Sequence, residues 1–94
     1  MPVIRQYVMV AAEGRAEELL KALRALGIAV EALSGCEGTE LLRDIDKRER
    51  FVFVEHWISV EAHKGGAGGL SKELIGAVMA PLAAPLEGSY LAPA

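Results

Sequence analysis

One stretch limits the possible folds more than any other: Phe51-Val52-Phe53-Val54-Glu55-His56-Trp57-Ile58. It is almost continuously apolar and rich in β-branched and aromatic residues, which marks a strand rather than a helix. Side chains alternate along a strand, so Phe51, Phe53 and Trp57 share one face and Val52, Val54 and Ile58 the other. Each face also carries one ionisable residue, Glu55 with the aromatic set and His56 with the aliphatic set. An antiparallel strand on a one-sided sheet keeps a polar face toward water. This one has none, so both faces of its sheet need cover. A short chain must find that cover in its own helices and in a second copy of itself.

The chain has 94 residues, enough for a single domain over 1–94 with a modest core. A hydrophobic fraction of 52% is high for that size and points to self-association. The net charge of −3 argues against nucleic acid as a partner. The run Lys47-Arg48-Glu49-Arg50 alternates in sign and reads as a solvated turn. With one cysteine there is no intrachain disulfide. Cys36, between Gly35 and Glu37 with no neighbouring His or Lys to activate it, reads as a packed small residue. No basic segment leads into an apolar one, and no run reaches the ~18 apolar residues of a membrane span. A soluble cytoplasmic protein, with no membrane partner, is the expectation.

Period changes divide the rest. Val3 to Ala12 alternates as a strand, with Val3, Arg5, Tyr7, Met9 and Ala11 on one face. From Arg15 the apolar residues recur at three- and four-residue steps (Ala16, Leu19, Leu20, Leu23, Leu26), the pattern of an amphipathic helix. Gly27 is a possible stop, but Val30 and Leu33 extend the stripe, so the spacing predicts a helix over about 14–33. Strands are expected at 37–44 and 51–58, joined by a polar hairpin and paired antiparallel, with Arg43 and Glu55 as a cross-strand ion pair. Ser59 caps a short helix ending by Lys64. Gly65-Gly66-Ala67-Gly68-Gly69 reads as a flexible loop or a lid. Ser71 caps a helix over 72–80, and 87–92 makes a last strand. Strand, helix, strand, strand, helices, strand is the α+β order of a ferredoxin-like βαββαβ fold with a four-stranded antiparallel sheet.

Two segments carry a family resemblance. Ser34-Gly35-Cys36-Glu37-Gly38-Thr39-Glu40-Leu41-Leu42-Arg43-Asp44 and, after a polar turn, Phe51 through His63 resemble the antibiotic biosynthesis monooxygenase (ABM) family. The shared pattern is a Gly-Cys turn, a Glu-Leu-x-Arg-Asp strand, and a strand ending Glu-x-Trp before a helix capped by Ser and Glu. The resemblance implies a dimeric α+β barrel, two subunits packed sheet against sheet, with a pocket between sheet and helices in each. It also implies oxidation of phenols or quinols by dioxygen with no metal or flavin, or, in other members, haem degradation. Trp57 matches the family's pocket tryptophan. Members that oxidise polyketide phenols have an asparagine where this chain has Phe53 and a tyrosine where it has His63. Haem-degrading members carry an asparagine in the first strand and a ligating histidine beyond the position of His63. This chain contains no asparagine, and His56 and His63 are its two histidines.

Oxygenation without a cofactor requires an electron-rich substrate to lose a proton in a site that stabilises the anion and excludes water. His63 and Trp57 are the candidate catalytic residues, His63 as a base near neutrality. Arg5, Tyr7 and Phe53 are the candidate substrate-binding residues. His56 points away from Glu55 and is assigned to the dimer face. The histidines and the cysteine show no ligand spacing, so no metal or other cofactor is expected. The leading functional expectation is a homodimeric, cofactor-independent monooxygenase of a small aromatic phenol or quinol. Its alternative is a non-catalytic dimer that binds such a ligand, and haem degradation is third.

Overall fold

Strands and helices form where the apolar period switches. In the computed structural model, which describes residues 2–94, the elements are β1 (Val3–Val10), α1 (Ala16–Glu31), β2 (Cys36–Arg43), β3 (Arg50–Trp57), α2 (Val60–Ala67), α3 (Lys72–Met79) and β4 (Glu87–Leu91). The strands make one antiparallel sheet in the order β2-β3-β1-β4. This is the ferredoxin-like arrangement, and it sets the two most apolar strands side by side at the centre.

The register sorts the side chains into rows across the sheet. On the inner face, toward the helices, Arg43, Phe51 and Met9 form one row; Leu41, Phe53, Tyr7 and Gly88 the next; Thr39, Glu55, Arg5 and Tyr90 the third; Cys36, Trp57 and Val3 the last. Arg43 therefore lies two rows from Glu55. The expected Arg43–Glu55 pair does not form, because the hairpin register sets Arg43 opposite Phe51 and Thr39 opposite Glu55; a bulge at Glu37 shifts only the pairing of Cys36 with Trp57. Arg43 instead reaches Glu17 at 3.0 Å and lies over the Phe51 ring.

The helices close the inner face. Leu19, Leu23, Leu26 and Val30 of α1 and Val78 of α3 pack with Met9, Phe51, Phe53 and Trp57 in one core. Gly27 does not end α1. It is buried inside the helix, facing the Phe53 ring and Thr39 Oγ1. The roughly 1 kcal/mol cost of a mid-helix glycine is outweighed by burying both Leu26 and Val30 in the same stripe. The outer face has no helix over it. Leu42 is 52% exposed and Val10 40%, and His56 Nε2 lies 2.9 Å from Glu40 Oε2 across the ladder there.

The glycine run differs from its expectation as a flexible loop. Gly65, Gly66 and Ala67 are the last turn of α2, and the Gly69 N–H closes back on the Gly66 carbonyl at 2.8 Å. The cause is a close approach: a Cβ on Gly66 would sit 2.9 Å from Trp57 Cη2. Gly35 has a similar role, with φ at +88° and Ala62 Cβ where its own side chain would begin. Together these glycines let α2 settle onto the tryptophan.

Candidate active site

The tight seat of α2 brings His63 over the sheet. Ser59 starts the helix, its hydroxyl accepting from the Ala62 N–H at 3.1 Å. One turn later His63 points inward and is 9% exposed. Its Nε2 lies 3.0 Å from the Tyr7 hydroxyl and its Nδ1 2.6 Å from the Tyr90 hydroxyl. A neutral imidazole has one donor and one acceptor nitrogen, so one phenol donates to it and the other accepts. Trp57 and Tyr90 meet the imidazole edge-on, with ring centroids at 5.5 and 5.3 Å.

Beneath His63 lies Glu55, 4% exposed. The Trp57 Nε1–H donates to Glu55 Oε1 at 2.8 Å, and the same oxygen is 3.8 Å from His63 Nε2. Arg5 is the register partner of Glu55, yet among the described residues no salt bridge joins them. Its guanidinium lies instead against the rings of Tyr7 and Tyr90, 4.9 and 4.3 Å from their centroids, and its Nε is buried without a partner. Burial pushes the Glu55 carboxyl up, against the Trp57 hydrogen bond and the charge of Arg5, which pull it down. Burial also pushes His63 down, helped by the positive charges of Arg5 and Lys64. Burial raises the Tyr7 phenol as well. Each group is thus driven toward its neutral form, the state in which protons can be passed along short hydrogen bonds.

A cavity of about 200 Å³ opens beside this cluster, lined by Tyr7, Met9, Leu26, Glu55, Leu70, Ile75, Val78, Met79 and Leu86. Its walls are aliphatic and thioether side chains from α1, α3 and the segment before β4. Tyr7 and Glu55 are its polar end. A larger groove of about 520 Å³ runs along Val8, Val10, Lys47, Glu49, Arg50, Ala84, Pro85 and Glu87. That groove borders the outer face and touches none of the clustered acid–base groups.

Four of the five residues singled out from sequence, Arg5, Tyr7, Trp57 and His63, come together in one cluster. Phe53 lies in the neighbouring row as the register partner of Tyr7. It is fully buried in the core and does not line the cavity. Two members of the cluster escaped sequence reading. Glu55 was assigned to an ion pair, although an acid on the aromatic face of the most apolar strand was itself a signal. Tyr90 was placed on the last strand with no role, since only the β1–β4 register sets it beside Arg5. Cys36 stands apart, its thiol 3.6 Å from the Gly38 carbonyl and raised by burial. Among the described residues no group of His, Cys, Asp or Glu is arranged to hold a metal ion.

Known proteins share this architecture. A solved protein structure from Mycobacterium tuberculosis superposes with a TM-score of 0.83 at 23% identity, covering 100% of this chain and 96% of the other. The cofactor-independent oxygenase SnoaB from Streptomyces nogalater, solved as a mutant, superposes at 0.80 with 15% identity over 98% of this chain and 92% of its own. In sequence, a haem oxygenase (mycobilin-producing) from Mycobacterium tuberculosis is 36% identical over 69 residues, 73% of this chain. The match spans 66% of that relative's length, just under two thirds. The profile of the antibiotic biosynthesis monooxygenase family matches residues 2–65, from β1 through the helix that carries His63. The chain belongs to the antibiotic biosynthesis monooxygenase family.

Proposed function

We propose that this protein is a cofactor-independent monooxygenase that oxidises a small phenol or quinol with dioxygen, acting as a homodimer. One observation carries the reading: a small apolar cavity ends on two acid–base groups, the buried Glu55 and the half-buried Tyr7, backed by His63. The walls favour an aromatic ring and exclude water, while the polar end meets its hydroxyl. For a bound naphthoquinol, loss of the hydroxyl proton gives an anion that can pass one electron to dioxygen. The resulting semiquinone and superoxide combine at the ring carbon beside the oxygen. Loss of water from that hydroperoxide leaves a hydroxynaphthoquinone. Quinol and dioxygen thus give hydroxyquinone and water, with no further reductant. Trp57 walls the cluster and holds Glu55 through its indole N–H, and His63 serves proton traffic between Tyr7 and Tyr90. Arg5 lies outside the cavity wall, against the Tyr7 and Tyr90 rings, and its charge favours the ionised form of Glu55.

The cavity's volume lies below the ~300–1,000 Å³ of pockets for drug-sized ligands, which favours one or two rings. The same volume weighs against haem. So does His63, whose two nitrogens already face phenols, while no histidine follows it in the chain. The outer sheet face, with Val8, Val10, Leu42 and Val52, supports the homodimer, since an exposed apolar sheet face is costly in a soluble chain.

Oxygen uptake with a panel of quinols and anthrones tests the activity. Uptake by the wild type, lost in His63→Ala, is the expected result. Tight binding of the panel with no uptake would identify a binding protein instead. Added haem is expected to leave its Soret band unshifted, and light scattering at micromolar concentration is expected to give twice the chain mass.

A further inference from the structure

The cavity touches Glu55 and Tyr7, whereas His63 sits behind them. We infer that Glu55 is the catalytic residue that receives the substrate's hydroxyl proton, and that His63 is a positioning residue that bridges the Tyr7 and Tyr90 phenols beside it. The inference rests on the oxygenase reading above and assigns its base.

Three features support the assignment. First, among the lining residues Glu55 alone is a carboxylic acid, and no cation lines the cavity to bind a pre-formed anion. The ligand is therefore a neutral aromatic that presents an O–H to a carboxylate. Second, the carboxyl is fixed in place. The Trp57 N–H engages Oε1, and among the described residues nothing hydrogen-bonds Oε2, which is open to take a proton. Third, among the described residues no Arg or Lys salt bridge uses up its basicity, and the one basic group in range, His63 Nε2 at 3.8 Å from Oε1, is driven toward its neutral form. Facing Glu55 are Arg5 and Tyr7 from β1, Thr39 and the thiol of Cys36 from β2, Trp57 from β3, His63 from α2 and Tyr90 from β4, while α1 and α3 contribute only apolar walls there. Burial lifts the carboxyl above its ordinary value, toward the pKa of the phenol it must deprotonate, the direction in which a general base gains. An imidazole held between two phenols at 3.0 and 2.6 Å has no free lone pair for substrate, and at 3.8 Å from Oε1 its Nε2 stands beside the carboxyl without a hydrogen bond to it.

Glu55→Gln tests the assignment, since its amide oxygen can still accept from Trp57. Indole emission and a thermal melt check that the fold is kept, and Glu55→Asp supplies a second variant that retains a carboxyl. With naphthoquinol, Glu55→Gln is expected to lower kcat about 100-fold or more. It is also expected to leave KM within about threefold and to abolish the rising limb of the pH profile. Glu55→Asp is expected to keep that limb. Wild-type uptake that survives in Glu55→Gln with the same limb overturns the base assignment and leaves the oxygenase reading standing. A probe that needs no turnover separates the two. At a pH below its solution pKa, para-nitrophenol bound to the wild type is expected to absorb as the phenolate, and bound to Glu55→Gln as the neutral phenol. That result without any oxygen uptake supports Glu55 as proton acceptor while removing the oxygenase. A neutral bound probe in both proteins overturns the assignment.

Discussion

The inner face of β3 has two ends that look alike in sequence and differ in structure. At one end Phe51 and Phe53 meet the leucines of α1 in a dry, close-packed layer. At the other, four residues along the same face, Glu55 and Trp57 meet His63, Tyr7, Arg5 and Tyr90 in a network of short polar contacts. The cover makes the difference. The long α1 presents aliphatic side chains to the phenylalanines. The short α2, lowered by Gly35 and Gly66, sets a histidine over the glutamate. The first end supplies cohesion without chemistry. The second gives up some cohesion, burying an acid and a base, for groups whose protonation states lie close in energy.

The contrast can be broken at either end. Phe53→Ala at the dry end is expected to cost about 3–5 kcal/mol. At roughly 4–8 °C per kcal/mol for a domain of this size, the thermal midpoint falls by more than about 12 °C at every pH. A shift that varied strongly with pH would mean that the dry layer is coupled to the titrating cluster one row away. At the polar end, Gly66→Ala drives a methyl into the Trp57 ring and is expected to cost about 1–3 kcal/mol, with altered indole emission as its local signature. Tyr90→Phe removes one hydrogen bond to His63 and is expected to cost about 1 kcal/mol, with the imidazole nitrogen resonances moving in NMR.

The pH dependence of stability distinguishes the ends without removing any packing. Glu55 has its carboxyl pKa raised in the fold, so its folded form holds a proton that the unfolded chain has released. Its contribution is full below the ordinary carboxylate pKa and lost as pH rises through the raised value. His63 is lowered, so its contribution is full above about pH 6.5 and lost as pH falls toward the depressed value. The midpoint of Glu55→Gln, relative to wild type, is expected to improve as pH rises above the carboxylate range. A flat difference across that range would mean that burial does not hold the Glu55 proton. Gly65→Ala is the smallest effect: a Cβ there meets nothing within 4 Å, so the substitution should stabilise α2 by up to about 1 kcal/mol. Opposite signs for the two neighbouring glycines would confirm that close approach, not flexibility, placed glycine at 66.

Much of the fold was legible because periodicity is a local property. The alternation at 51–58 and the three- and four-residue spacing from Ala16 located β3 and α1, and the order of elements named the ferredoxin-like sheet. Gly27 and the run from Gly65 were harder, since glycine reads the same whether it stops a helix, loosens a loop or admits an aromatic ring. Of the site, Arg5, Tyr7, Trp57 and His63 were nameable from their residue types and the family resemblance. Glu55 was visible on the correct face but paired with Arg43, because the length of the turn between β2 and β3 sets which residues stand opposite each other, and that register put Arg43 beside Phe51 instead.

The sequence by itself determined which residues face together along each strand and helix, for chirality and bond geometry set those periods within a few residues. Tertiary structure alone decided what stands opposite what. Strand register aligned Thr39, Glu55, Arg5 and Tyr90 in one row, and the depth of α2 set His63 within reach of two phenols and a carboxyl. Those distances depend on contacts between residues 27 to 56 positions apart, where packing and burial, rather than local geometry, choose the partners.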